Sequence, residues 1–171
     1  MPTGTTDTTL VVLRGNSGSG KSTTARALRD RLGRGVAWVE QDYLRRILLR
    51  EHDVAGGANI GLIDQTTRYA LDHGYHVVLD GILDAGRYGA MLRGLHADHA
   101  GRSAFYYFDV PFDETVRRHA TRPQRDAFGA EEMRGWYRER DLLGQVPETL
   151  VPAAATLAET VDRVLADLRH R

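Results

Sequence analysis

The chain has 171 residues, 42% of them apolar, which is enough for one ordinary core and too little for separate catalytic and regulatory domains. Basic and acidic residues number 23 each, so no net charge draws the chain to nucleic acid or a membrane surface. Cysteine is absent, which excludes disulfides, thiol catalysis and Cys-ligated zinc and fits the cytoplasm. Residues 1–8 are polar, carry no secretory pattern and are expected to be flexible. Among the 23 basic residues one alone, Lys21, is a lysine.

The first apolar run, Thr9 to Leu13, reads as a buried strand, and a Gly/Ser loop leads from it into a helix over 22–32 that Gly33 stops. Val36 to Glu40 is a second strand. Tyr43 to Glu51 reads as a short helix, and 59–73 as a longer one with Asn59 as its cap. Tyr75 to Leu79 is a third strand that closes on Asp80-Gly81. A Gly-weakened helix over 84–99 precedes a fourth strand over 103–110. A helix over 112–121, a polar loop over 122–129 and a charged helix over 130–143 follow. Thr149 to Val151 is a short fifth strand. The last helix, 156–168, opens on a Thr156/Glu159 capping box. Five alternations of strand and helix predict a three-layer α/β fold with a parallel sheet, built as one domain over 1–171.

Residues 15–22, Gly-Asn-Ser-Gly-Ser-Gly-Lys-Ser, match G-x-x-x-x-G-K-[ST] in full, with a strand before and a helix after. Glycines let backbone N–H groups close around phosphate oxygens, and the helix N-terminus adds its positive dipole end. A compact ammonium reaches β- and γ-phosphates better than a planar guanidinium does, which explains why one lysine survives in an arginine-dominated chain. Gly15, Asn16, Ser17, Gly18, Ser19, Gly20, Lys21, Ser22 and Thr23 are therefore the candidate nucleotide contacts. The Ser22 hydroxyl is a candidate magnesium ligand.

With Lys21 the only lysine, a guanine-reading N-K-x-D cannot occur, and no L-S-G-G-Q signature is present. The chain is also short for an oligomeric motor ATPase with an added helical domain. What remains resembles the P-loop kinases of small molecules and nucleotides over about Thr9 to Leu168, including the monophosphate-kinase-like, shikimate- and gluconate-kinase-like, chloramphenicol-phosphotransferase-like and zeta-toxin-like groups. Four places carry the resemblance: the phosphate loop; Val39-Glu40-Gln41-Asp42 after the second strand; Asp80-Gly81 after the third; and Asp109-Val110-Pro111 leading through Glu114 to Arg118 and Arg122. The resemblance implies a five-stranded sheet in the order 2-3-1-4-5, ATP and Mg²⁺ as cofactors, and a short lid over 122–142. It implies Asp80 as a magnesium-side carboxylate, Asp42 as the group that orients an acceptor hydroxyl, and Arg118 and Arg122 as neutralisers of charge on the moving phosphoryl group. Ile82-Leu83-Asp84 replaces the aromatic-Pro-Arg run of the monophosphate kinases, which counts against a nucleoside monophosphate acceptor.

Most of these residues also have a plainer reading. Asp42 suits a helix N-cap, and Glu40 a strand end. Arg118 and Arg122, four apart, would share one face of a solvated helix. Arg45 and Arg46 would either clamp an anionic acceptor or lie on the surface. Arg125, Arg134, Arg138 and Arg140, interleaved with Asp126, Glu131, Glu132 and Glu139, read as a salt-bridged surface helix of which one or two arginines close over ATP. The histidines have no metal-ligand spacing and Trp38 reads as core. Small residues over 151–155 suit a flat purine. The acceptor set is thus Glu40, Asp42, Arg45, Arg46 and Asp80. The expected activity is transfer of the γ-phosphoryl group of ATP to a hydroxyl of a small or nucleotide-like molecule. Alternatives are a polynucleotide or nucleotide-sugar kinase, an antibiotic-modifying kinase, and an ATP-binding regulator with slow hydrolysis.

Overall fold

The computed structural model describes residues 1–169; the last two positions of the expected domain lie outside them. Strands β1 (Thr9–Gly15), β2 (Val36–Glu40), β3 (His76–Gly81), β4 (Arg102–Asp109) and β5 (Glu148–Pro152) form one parallel sheet. Their order is β2-β3-β1-β4-β5, as expected from the sequence. The helices are α1 (Lys21–Leu32), α2 (Ala58–Asp72), α3 (Ala85–Asp98), α4 (Phe112–His119), α5 (Ala130–Trp136) and α6 (Leu157–Arg169). Side chains alternate across a strand, so β1 feeds two cores at once. Leu10 and Val12 pack with Ile63 and Leu71 of α2 and Leu92 and Leu95 of α3. Val11 and Leu13 pack with Ala25 and Leu28 of α1 and Val161 and Val164 of α6. Both faces of the central strand are thereby covered, as a parallel sheet requires. The C-terminal strand ends and the loop after β1 share one edge, where ligands bind in sheets of this kind.

Several expectations fail for identifiable reasons. Residues 1–8 are tied down rather than flexible. Thr3 forms a bridge with His99, and Asp72 accepts from the Thr3 hydroxyl and the Gly4 amide, each at 2.7 Å. Thr8 and Ser103 hold the two nitrogens of His99 at 3.0 and 2.8 Å. The stretch 43–48 is a wide turn of π-helix, with Leu49 N–H bonded five residues back to Leu44 at 3.1 Å, and it breaks at Arg50, whose φ is 51°. Asn59 is not a cap. The Glu51 carboxylate caps α2 instead, accepting from the amides of Ala58 and Asn59 at 2.6 and 2.8 Å, and Asn59 is fully buried. The helix expected over 130–143 stops at Trp136, and the chain beyond it runs back across the sheet edge. The capping box of the last helix is present as expected, with Thr156 and Glu159 exchanging hydrogen bonds.

The next-to-last residue of β1, Arg14, is completely buried although it is charged. Its guanidinium donates to Leu83 O at 3.0 Å, to Glu148 of β5 at 2.6 Å and to Asp141 at 3.3 Å. Asp141 also accepts from Ala85 N–H at 2.7 Å, and Glu148 from Leu143 N–H at 2.7 Å. This knot ties the central strand to the edge strand and to the start of α3. It also holds Leu83, with φ of 44°, in a left-handed conformation that a branched side chain rarely adopts. Removing one partner of a buried ion pair strands the other's charge. Arg14→Met is expected to lower stability to urea by about 3–5 kcal/mol. A loss under about 1 kcal/mol would show that the knot is not needed.

Candidate functional site

The loop after β1 curls because its glycines take left-handed backbone. Gly18 sits at φ 77°, and a Cβ there would meet the Thr115 carbonyl at 2.7 Å. The loop therefore nests against the first turns of α4. Its turn delivers Lys21 to the first position of α1, where the side chain is buried and donates to Asn16 O at 2.6 Å and Ser19 Oγ at 3.2 Å. Burial holds the Lys21 ammonium down to about 8 from 10.5. Asp80 opposes that effect, Arg122 adds to it, and Asp42 opposes it more weakly. All three are residues that the sequence singled out, and each acts electrostatically on the lysine.

Asp80, next to last in β3, is in register with Glu40 of β2. Its buried carboxylate accepts from Trp38 Nε1 at 2.8 Å and lies 3.5 Å from the Ser22 hydroxyl. Burial pushes its pKa up, against the pull of Trp38 and Lys21. Glu40 is also pushed up, first by burial and then by Asp80 and Asp42. Trp38 packs against the core as the sequence implied and in addition donates to Asp80, a role that only its alternation onto the same side as Glu40 and Asp80 could have signalled. Gly81 is required by a close approach, since a Cβ would stand 2.6 Å from Gln41 Cβ. Gln41 in turn donates to Tyr88 OH at 3.0 Å, and Tyr88 OH joins Asp53 and Asn59 at 2.7 and 2.9 Å. This buried network, which the sequence did not reveal, braces the segment that carries Asp42.

Asp42 is exposed and lies within the helical turn, without acting as an N-cap. Arg45 and Arg46 approach its carboxylate at 3.5 and 3.6 Å, and Arg45 also donates to Glu51 O at 3.0 Å. Arg45 Nε is buried and has no hydrogen-bond partner among the described residues. Exposed Tyr43, Ile47 and Leu48 continue the same turn.

Arg118 and Arg122 do not share a face. Helix α4 ends at His119, and Arg122 lies beyond it in extended backbone, φ −97° and ψ 155°. Arg118 donates to Ser19 O at 3.1 Å, to Ala153 O at 3.0 Å and to Glu114 at 3.0 Å. It lines a cleft of about 200 Å³ with Phe108, Thr23, Val151, Pro152 and Ala155. The small residues over 151–155 thus contribute the far wall of that cleft. Arg122 makes no ion pair with a carboxylate among the described residues, and its charge acts on Lys21. Of the other lid-region cations, Arg140 pairs with Asp109 at 3.0 Å and Arg125 lies 4.0 Å from Asp126. Among the described residues no group of three or more His, Asp or Glu is set to hold a metal, and no helix is long and apolar enough to cross a membrane.

A family model described as an AAA domain matches residues 10–140. No curated protein matches the chain. Among solved structures, the fold is similar to an APS kinase from Mycobacterium tuberculosis in complex with AMPPNP and APS, with a TM-score of 0.67 at 22% identity covering 100% of both chains. It is similar to a sugar kinase from Janibacter sp., with a TM-score of 0.72 at 18% identity and 95% of each chain covered. A gluconokinase from Sinorhizobium meliloti aligns with a TM-score of 0.62 at 19% identity, over 96% of this chain and 93% of the other.

The lysine sets a pH dependence. Folded, Lys21 gives up its proton near pH 8; unfolded, it keeps it to about 10.5. Between those values the unfolded chain binds more protons, so Lys21 makes stability rise with pH there and is a standing cost below pH 8. Urea unfolding from about pH 7 to about pH 10 is expected to show this rise in the ligand-free protein and to lose it in Lys21→Met. Equal pH slopes in the two proteins would contradict the buried-ammonium account.

Proposed function

The chain belongs to the AAA domain family, and from that premise we propose that it is an ATP-dependent phosphotransferase acting on a hydroxyl of a small molecule. One observation carries the reading: the only lysine is buried where a G-x-x-x-x-G-K-S loop meets a helix, donating to Asn16 O and Ser19 Oγ, within the electrostatic influence of Asp80, Asp42 and Arg122. An ammonium held that far from solvent calls for an anion, and the loop amides and the α1 N-terminus supply the rest of an anion cradle. The small-molecule kinases among the similar folds support the same reading.

In this reading Lys21 and residues 15–23 take the β- and γ-phosphates. The purine lies in the cleft beside Arg118, whose guanidinium is fixed by Glu114, Ser19 and Ala153. Arg118 therefore serves the base side of the nucleotide, and Arg122 the transferring phosphoryl group. Ser22 and Asp80 offer hard oxygen donors 3.5 Å apart, one of them a desolvated carboxylate, which fits a magnesium site completed by phosphate oxygens. Bound there, magnesium would neutralise charge on the β- and γ-phosphates. Asp42, held by Arg45 and Arg46, orients the acceptor hydroxyl and takes its proton as the oxygen attacks the γ-phosphorus. The bond to the β–γ bridging oxygen breaks, leaving ADP and a phosphorylated acceptor.

The test is to incubate the protein with ATP and Mg²⁺ against pooled hydroxyl metabolites, nucleosides, oligonucleotides and antibiotics, and to search by mass spectrometry for a product heavier by one phosphoryl group. A phosphorylated small molecule is expected, and the reaction should be lost in Lys21→Ala with the fold retained. Asp42→Asn should reduce kcat by about 10²–10⁴-fold with little change in nucleotide affinity. Tight ATP binding with no product from any pool would overturn the proposal in favour of a regulator. A phosphorylated oligonucleotide would replace the small-molecule acceptor.

A further inference from the structure

At the second position of the phosphate loop the side chain is committed elsewhere than to phosphate. Asn16 is buried, and its side-chain amide is committed at both ends to one residue of another segment. Its Nδ2 donates to Arg138 O at 2.7 Å, and its Oδ1 accepts from Arg138 N–H at 2.8 Å. A single side chain thus pairs with the backbone of Arg138 as a strand would. The contact spans 122 positions in sequence, so it joins the loop to the chain that returns from α5. The return is fastened on either side. Tyr137 OH donates to Val110 O at 3.0 Å, Tyr107 OH bridges Arg138 O and Asp141 N–H at 3.2 and 3.1 Å, and Asp141 joins the buried Arg14. Inside this fastened stretch the Arg138 side chain is itself exposed and has no ion-pair partner among the described residues, whereas Arg140, two residues on, is paired to Asp109.

We propose that Asn16 is a positioning residue that fixes Arg138 beside the phosphate loop, so that Arg138 is a further phosphate-binding residue of the transfer site. The inference rests on the phosphotransferase reading. An arginine loses less rotamer freedom on binding when its backbone is already fixed, and a guanidinium matches phosphate oxygens in a two-pronged geometry. The sequence placed Arg138 on a salt-bridged helix as one of four arginines, of which one or two would close over ATP, without distinguishing among them. The structure removes it from any helix and docks it on the one loop whose partners carry phosphate chemistry.

Two measurements test this. The first is structural and needs no acceptor. Trypsin cleavage after Arg138, located by mass spectrometry, should be at least about tenfold faster in Asn16→Ala than in the parent, because the two backbone bonds that close this stretch are gone. ATP with Mg²⁺ should slow that cleavage in the parent. Equal rates in the two proteins, or no protection by ATP, would overturn the proposal. The second is a double-mutant cycle on phosphoryl transfer with Asn16→Ala and Arg138→Ala. Each single change should lower kcat more than it raises KM for ATP, and the double variant should be no slower than Arg138→Ala alone. Multiplying losses, or an unaffected Arg138→Ala, would overturn it. Arg138 is exposed, so its variant remains informative if Asn16→Ala does not fold. A parent protein that transfers no phosphoryl group defeats the phosphotransferase reading, while the cleavage measurement still decides whether Asn16 fixes the arm.

Discussion

An ammonium group taken out of water is the constraint around which this molecule is arranged. Lys21 sits at the first turn of α1, donating to Asn16 O and Ser19 Oγ, and burial brings its pKa to about 8. A buried cation is tolerated only beside compensating charge, and here Asp80 is the largest such influence. Asp80 is itself buried and is held by Trp38 and Ser22. Arg122 works the other way and adds positive charge to the same region. Such a balance is poor for an empty protein and good for one that receives a polyphosphate. The site therefore trades stability in the free state for preorganised charge, as proteins commonly do where function is located.

The scaffold supports that arrangement through one side of the sheet. Arg14 precedes the loop directly and is locked to β5, to Asp141 and to Leu83. Asn16, two residues on, grips the backbone of Arg138. Tyr107 on the adjacent strand joins the same return. The phosphate loop is thus continuous with the chain coming back from α5, and displacement of one displaces the other. On the opposite side the Gln41–Tyr88–Asn59 network and the Glu51 cap fix the segment that carries Asp42. The phosphate loop and the segment that carries Asp42 are braced by separate networks that meet at the ends of β1, β2 and β3.

Much of this was legible from residue order. The unbroken apolar run Leu10–Leu13 and the full phosphate-loop motif are local signals that marked the central strand and the loop, while the strand order came from the family resemblance. Asp80, Asp42 and Arg122 were singled out by the family resemblance, the first two just after strands and the third after Asp109-Val110-Pro111. What escaped depended on distant partners. Nothing near Arg14 announces that Glu148, 134 positions away, will accept from it. The helical pattern after Ala130 continues to Leu143, but backbone bonds to Asn16 and Tyr107 outcompete it beyond Trp136. Asn59 has the chemistry of a cap, yet Glu51 reaches the α2 amides first and leaves Asn59 to the core. The spacing of Arg118 and Arg122 implied a shared face only while the helix was assumed to run through both.

Lys21 is the sole lysine, so its side-chain ammonium can be followed by NMR without assignment among competitors. The measurement that tests the account most directly is the titration of that group in the free protein and with ADP and Mg²⁺ bound. The account predicts a midpoint near 8 in the free protein and an upward shift with the nucleotide, because phosphate charge favours the ammonium. A midpoint at the ordinary 10.5 that nucleotide leaves unmoved would contradict it, since the lysine would then be neither buried nor in contact with phosphate.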